Sequence, residues 1–512
     1  MNGAESLVHT LLGAGVELCF ANPGTSEMHF VAALDQIPGM RCVLGLQENV
    51  VTGMADGYFR IAEKPACTLL HCGPGLANGM GNLHNARRAR SGIVNIVGDQ
   101  ATYHRPLDAP LTADTSAMAH SVSHWVRTSR SAPEVGRDAA DAVRAARTAP
   151  GGIATLILPS DASWDEGGIV APPASCPVPA ATDPLVIETA ARALRGGGRA
   201  LLLLGGAAAL EPAQRLAWAI AQRTGAQIYA EFAIGRVARG QGRLPLERVP
   251  YDGDQAVKAL APFDHIILIN AKPPVGFFAY PDKPSLHYRP DAQIHQLSRF
   301  DQDPVAALQA LADELGAPSV AFPDPGPRPE PVRGAPTPEG LARTIAALMP
   351  EQAIISDESI SFGRGFYAST HAAPPHDWLH LAGGAIGDGL PVATGAAIAG
   401  AGRRVISIQA DGSAMYSLQS LWTQARERLP CTTILLNNGK YNILIGEYGR
   451  VGAQAGRTAM DMLSLSDPDL DWVKIAQGMG VEAARAETLE VCADLLSASF
   501  DRAGPFLIEL MI

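Results

Sequence analysis

The 512-residue chain predicts an α/β fold of three doubly wound parallel-sheet domains. Three observations predict it. Short apolar runs of strand length alternate with segments of helical period along the whole chain. Two proline-rich stretches, APPASCPVPAATDP (171–184) and APSVAFPDPGPRPEPVRGAPTPEG (317–340), are unsuited to helix interiors and read as extended linkers. The composition, 47% apolar and 18% charged with 52 glycines, is that of a well-packed globular protein and not of a disordered one. The linkers leave domains over residues 1–170, 184–316 and 338–512.

In the first domain strands are expected at VELCF, RCVLGL, ACTLLH and GIVNIV. In the second, RALLLLGG and DHIILIN stand out, and in the third AIISDE, RRVISIQ, CTTILLN and FLIELMI. Between RRVISIQ and CTTILLN, Leu418, Leu421, Trp422 and Ala425 recur at helical spacing, so this stretch is a strand–turn–helix–strand unit. It puts Asp411 and Asn438 at the carboxyl ends of two strands, the edge where open α/β sheets bind ligands.

The bulk numbers exclude several classes. A net charge of −11 is spread along the chain without a basic run, which argues against nucleic acid or an anionic membrane as partner. No run of eighteen apolar residues occurs, and MNGAESLVHT lacks the basic and apolar regions of a signal peptide. The seven cysteines form no C-x-x-C pair. They read as reduced thiols of a cytoplasmic protein, not as a zinc site.

Several turns carry chemistry-bearing residues, and each also has a plain structural reading. Glu48 stands where RCVLGL hands over to a helix, a place favourable to any acid. ANPGTSE (21–27) supplies Thr25, Ser26 and Glu27, all suited to capping. His71 ends the strand ACTLLH, on the ligand edge. The glycines after it are spaced G-x-G-x-x-x-G, which is not the dinucleotide fingerprint, and no acid follows at the required distance. A nicotinamide oxidoreductase therefore fails. In LAGGAIGDGLPVATGAA (381–397), Gly383, Gly384, Gly387 and Gly389 allow close backbone approach, with Ile386 the one bulky side chain among them. SDESIS (356–361) adds Glu358, Ser359 and Ser361 at another strand end, where hydroxyls and N–H groups suit phosphate oxygens. Asp411 and Asn438, an acid and an amide, suit a hard cation.

Together these motifs resemble the thiamine-diphosphate (ThDP)-dependent superfamily that holds acetolactate synthases, pyruvate decarboxylases and benzoylformate decarboxylases. The resemblance covers the first and third domains almost throughout and the middle one loosely. Its diphosphate motif, G-D-G closing on N-N, is matched by Ala410-Asp411-Gly412-Ser413 and Asn437-Asn438, with alanine for the first glycine. The resemblance implies Mg²⁺ held by Asp411, Asn438 and the carbonyl of Lys440, and a diphosphate helped by Gly412, Ser413 and Tyr416. It further implies cofactor contacts from Ser361, Gly384 and Ile386, the last as the wedge that bends the cofactor. Glu48 matches the glutamate that hydrogen-bonds the aminopyrimidine, which would make the domains pyrimidine-binding, central and diphosphate-binding in that order.

Within the superfamily FANPGTSE, LGLQENVVTGMADGY and LLHCGPGLANGMGNL are most similar to benzoylformate decarboxylases. That places Thr25 where a substrate-touching serine is expected and His71 on the acid/base histidine. A second histidine expected in the middle domain is missing. PPVGFFAYP (273–281) offers Phe277, Phe278 and Tyr280 instead, and no flavin signature is present. The implied function is ThDP- and Mg²⁺-dependent decarboxylation of a 2-oxo acid, with the product released as an aldehyde or joined to an aldehyde or ketone acceptor. The family builds its site across subunits, which implies a homodimer or homotetramer. The alternative weighed against this is a catalytically silent protein of the same fold that binds or regulates a partner. Glu48 and the intact metal-ligand set speak against it.

Overall fold

The computed structural model describes residues 1–454 and 456–512. Among them eighteen strands form three sheets, each the centre of one α/β layer structure. The first sheet is built from β1 (Leu18–Ala21), β2 (Arg41–Leu44), β3 (Ala66–Leu70), β4 (Ile93–Asp99), β5 (Trp125–Thr128) and β6 (Ile153–Pro159). All its pairings are parallel, in the order β2-β1-β3-β4-β6-β5. Its central strands β3, β4 and β6 are buried at every position, as strands covered by helices on both faces must be.

The middle sheet holds β7 (Ala200–Leu204), β8 (Gln227–Ala230), β10 (Glu247–Arg248), β11 (His265–Ile269) and β12 (Gln293–Ser298), parallel in the order β10-β8-β7-β11-β12. One strand of this stretch of chain, β9 (Arg236–Arg239), leaves it. It pairs antiparallel with β14 (His376–His380) at the edge of the third sheet. The expectation of three parallel-sheet α/β domains holds, with this one antiparallel strand added at the edge of the third sheet. Its short polar sequence RVAR carries no apolar run of its own, and tertiary pairing decides its place.

The other strands of the third sheet are β13 (Ile354–Glu358), β15 (Val405–Ala410), β16 (Cys431–Asn437), β17 (Glu482–Ala486) and β18 (Phe506–Met511). Counted from β13, its six parallel strands run β14-β13-β15-β16-β18-β17, the same winding as the first sheet. In both, the strand order reverses beside the founding strand, between β1 and β3 and between β13 and β15. Ligand crevices lie at such reversals.

The first and third sheets are joined through two helices, Glu48–Ala62 and Gly389–Ala399, packed against each other. Glycines set the contact. A β-carbon on Gly57 would lie 2.1 Å from the carbonyl oxygen of Val392, and one on Gly395 1.9 Å from that of Met54. The backbones therefore touch directly, and any side chain there would separate the sheets. Residues 317–337 carry neither helix nor strand. The seven cysteines are unpaired, and no helix of the described residues is long and apolar enough to cross a membrane.

Candidate active site

At the reversal of the first sheet, β1 runs into a short turn, Thr25–Glu27, and β3 ends against His71, which precedes the helix Cys72–Ala89. Glu27 is 2% exposed, and its two carboxylate oxygens lie 3.1 and 3.0 Å from Nδ1 of His71. The same carboxylate accepts the N–H of Gly24 at 2.9 Å and the hydroxyl of Ser26. Two glycines make this possible: a β-carbon on Gly24 would strike the His71 ring at 2.1 Å, and one on Gly98 would strike Oε1 of Glu27 at 1.8 Å. With Nδ1 held by a carboxylate, the imidazole is fixed in orientation and its Nε2 is left to act. Among the described residues Nε2 has no hydrogen-bond partner.

Glu48 opens its helix and is 8% exposed. Its Oε2 accepts a hydrogen bond from Nδ2 of Asn78 at 3.1 Å, and its Oε1 has no partner among the described residues. Gly75 stands between the two candidate catalytic side chains. A β-carbon there would be 3.3 Å from Oε1 of Glu48 and 3.4 Å from Cβ of His71. Thr25 is exposed, whereas Ser26, one residue on, has its hydroxyl 3.3 Å from Nδ1 of His71. Sequence reasoning gave Ser26 and Glu27 only a capping role. The acid–histidine pairing spans 44 positions and leaves no local signal.

At the reversal of the third sheet, Asp411 follows β15 directly. Oδ1 accepts the N–H of Gly412 at 2.9 Å, and Oδ2 accepts those of Asn438 at 3.2 Å and Gly439 at 2.7 Å. Burial raises its pKa above the usual aspartate range, while these N–H groups pull it the other way. Asn438 turns its side-chain oxygen to the N–H of Lys440 at 3.0 Å, and the Lys440 carbonyl accepts the N–H of Asn442 at 3.0 Å. Carboxylate, carboxamide and carbonyl form an all-oxygen set within one loop pair, a donor chemistry that could hold a hard cation. Gly412 has no room for a side chain, since a β-carbon would meet the Tyr441 ring at 2.5 Å. Ser413 bonds the carbonyl of Ala410 at 3.0 Å, and Tyr416 is 53% exposed. The hydroxyl of Ser361, in the turn after β13, is free of protein hydrogen bonds among the described residues.

The glycine-rich loop between β14 and the helix Gly389–Ala399 is fastened from two sides. From the first domain, Asn85 bonds both polar groups of the Ala385 backbone, Asn82 donates to the carbonyl of Gly387 at 3.0 Å, and His84 Nε2 lies 3.1 Å from that of Gly383. From β13, the buried Glu358 accepts the N–H groups of Gly387, Asp388 and Gly389 at 2.7, 3.3 and 2.8 Å. Burial nonetheless pushes Glu358 up to about 7. Gly384 and Gly387 take φ of +81° and +95°, a region open to glycine at no cost. Ile386 is thus presented between two anchored residues, Ala385 and Gly387, each held at both of its backbone polar groups. The Phe277 ring closes over Gly384, where a β-carbon would lie 2.5 Å from it. Phe278 stacks edge-on to Phe277 with centroids 4.8 Å apart.

Residues 1–121 match the family model "Thiamine pyrophosphate enzyme, N-terminal TPP binding domain", and residues 364–510 match "Thiamine pyrophosphate enzyme, C-terminal TPP binding domain". The chain belongs to the thiamine pyrophosphate enzyme family, and it is an enzyme of the ThDP-dependent decarboxylase and acetolactate synthase type. It is 48% identical over 514 residues to a Mycobacterium tuberculosis protein named "Putative acetolactate synthase large subunit IlvX", covering 100% of this chain and 99% of that one. It is 29% identical over 532 residues to the benzoylformate decarboxylase of Pseudomonas aeruginosa, covering 97% and 96%. Among solved structures, the ThDP-dependent 4-hydroxybenzoylformate decarboxylase of Rhodococcus jostii superposes with a TM-score of 0.87 at 25% identity, over 99% and 98% of the two chains.

Proposed function

We propose that this enzyme decarboxylates a 2-oxo acid with ThDP and Mg²⁺, in a site shared between two copies of the chain. The observation that carries the reading is the pair of protein groups facing Gly75: a carboxylate with one open oxygen, Glu48, and an imidazole with an open Nε2, His71. When bound, ThDP would supply a carbon nucleophile and an electron sink for the bonding pair left on the substrate carbon as CO₂ departs. Glu48 would hold and relay a proton at Oε1 toward the aminopyrimidine. His71 would move a proton at Nε2 to or from the substrate-derived carbon and oxygen, kept in register by Glu27. Asp411, Asn438 and the Lys440 carbonyl would hold the cation, with Gly412, Ser413, Ser361 and Tyr416 around the diphosphate and Gly384 and Ile386 under the ring junction. Thr25, exposed at the mouth of the turn, would meet the substrate. The fit rests on the all-oxygen donor set and on Gly412, whose missing side chain lets the Tyr441 ring pack directly against the turn after β15.

The shared site is taken from the resemblance, whose members build the site across subunits. The expected assembly is a homodimer or a homotetramer. The unpaired thiols are those of a cytoplasmic protein.

The fate of the decarboxylated fragment would depend on the middle-domain segment that the resemblance aligns with the missing second histidine, where this chain has Phe277 and Phe278. The Phe277–Phe278 wall supplies no proton carrier, repels water and favours an apolar partner. Coupling to a second carbonyl compound to give a 2-hydroxy ketone or acetolactate-type product is therefore expected beside aldehyde release. The test is a panel of 2-oxo acids with ThDP and Mg²⁺, following CO₂ and products with and without an acceptor aldehyde or ketone. Turnover of none of them would overturn the reading. Quantitative free aldehyde at high acceptor concentration would overturn the coupling outcome alone.

A further inference from the structure

Cys72 has no part in the chemistry above, yet its setting is unusual. It is 1% exposed and takes φ of +52°, a conformation disfavoured for any residue with a β-carbon and kept only where the surroundings enforce it. The turn brings its Sγ to 3.2 Å from the Ser26 hydroxyl. One ligand atom each from Glu27, His71 and Cys72 lie within 4.8 Å of one another. Carboxylate oxygen, imidazole nitrogen and thiolate sulfur are the three donor types of zinc sites, at about 2.0–2.3 Å from the ion, and three protein ligands leave a fourth position open. Closing the present cluster onto one ion needs side-chain movements of only about 1 Å.

We propose that Glu27, Nδ1 of His71 and the sulfur of Cys72 form a binding site for a soft divalent cation of the Zn²⁺ class, distinct in chemistry from the all-oxygen set at Asp411. The ion would take the place of the proton between Glu27 and His71 and of the thiol proton of Cys72. Burial, with the Glu27 and Asp99 carboxylates adding to it against the Ser26 hydroxyl, pushes that thiol up to about 11, so the sulfur stays protonated until a cation displaces the proton. Mg²⁺ does not compete for such a set, because it prefers oxygen and resists dehydration. Where His71 serves as proton carrier, as in the functional reading above, an ion on Nδ1 fixes the proton on Nε2 and stops that service. Zn²⁺ is then an inhibitor that acts without touching the cofactor.

The experiment uses the full protein loaded with ThDP and excess Mg²⁺, titrated with Co²⁺ as a spectroscopic stand-in for Zn²⁺. One equivalent should produce the visible bands of a four-coordinate ion and a sulfur-to-cobalt charge-transfer band in the near ultraviolet, both erased by Zn²⁺. Cys72→Ser should lose the charge-transfer band, and Glu27→Gln should weaken binding at least about tenfold. Replacing the exposed Cys42 and Cys176 by serine should leave the band in place. X-ray absorption on the Zn²⁺-loaded wild-type protein needs no variant and should show one sulfur at about 2.3 Å with nitrogen and oxygen at about 2.0–2.1 Å. A spectrum without sulfur ligation, or a band that survives Cys72→Ser, overturns the site. Binding with intact spectra but without turnover of any 2-oxo acid keeps the site and overturns the functional reading instead.

Discussion

Asn85 grips the backbone of Ala385, 300 positions away, as one strand grips another: its Nδ2 donates to the carbonyl at 2.7 Å and its Oδ1 accepts the N–H at 3.1 Å. Asn85 is fully buried, so neither of its groups has water to fall back on. Replacing it with alanine leaves two partly buried backbone groups unpaired, at a cost of about 1–3 kcal/mol. The loop that presents Ile386 loses an anchor with it. Asn85→Ala is expected to lower the melting temperature and to weaken ThDP affinity together. A variant that loses stability by calorimetry but keeps wild-type affinity would mean that the anchor serves the fold alone.

Glu358 gives a pH dependence of known sign. Its pKa rises from an ordinary 4.5 to about 7 in the folded protein because burial outweighs three backbone N–H bonds. Between those two values the folded state holds a proton that the unfolded chain releases. This group's contribution to stability therefore falls as pH rises from about 4.5 to about 7, then stays level. The fall is of order 1–3 kcal/mol. Glu358→Gln should be flatter than wild type when denaturant unfolding is compared at about pH 5 and about pH 8. Parallel profiles would show that Glu358 stays charged throughout.

Asp411→Ala removes the one carboxylate among the proposed cation ligands. Wild-type protein at a hundredfold excess of ThDP and Mg²⁺ over the dissociation constant should gain about 2.7 kcal/mol of stability. The variant should gain none, and removing Mg²⁺ with a chelator should abolish the wild-type gain. Thermal shifts with and without cofactor decide it. An equal shift in the variant would take Asp411 out of the site.

Glu48→Gln keeps the shape and the hydrogen bond from Asn78 but cannot relay a proton. Hydrogen–deuterium exchange at C2 of bound ThDP should slow by about 10²–10⁴, the usual range for lost acid–base catalysis, while cofactor binding persists. Exchange at the wild-type rate would leave Glu48 as an ordinary helix-start acid.

Runs such as IVNIVGD, ALLLL and HIILI are legible as strands because both faces of a central parallel strand are buried and the run is mostly apolar. The same rule applied to IATLILP would have found β6, which the sequence reading passed over. The half-buried edge strand β5, WVRT, and the two-residue β10 have no such run to read. Strand ends located Glu48, His71, Asp411 and Asn438. What strand ends could not locate were the side chains that orient His71 and fasten the glycine-rich loop. Glu27, Asn82, Asn85 and Glu358 act on atoms 29 to 305 positions away, and polar side chains of this kind look locally like caps and turn formers.

The lending of β9 has a practical corollary for dissecting this chain. A fragment begun at the second linker would carry every proposed ligand of the third sheet yet leave β14 bare along one side. Four residues of unpaired N–H and C=O groups, on a strand whose every side chain is buried, would then face solvent or another copy of the fragment. Such a piece is an aggregation template. The architecture is stitched, with one thread of the middle segment hemming the third sheet, and any autonomous C-terminal module would have to bring residues 236–239 along or cap the raw edge by design.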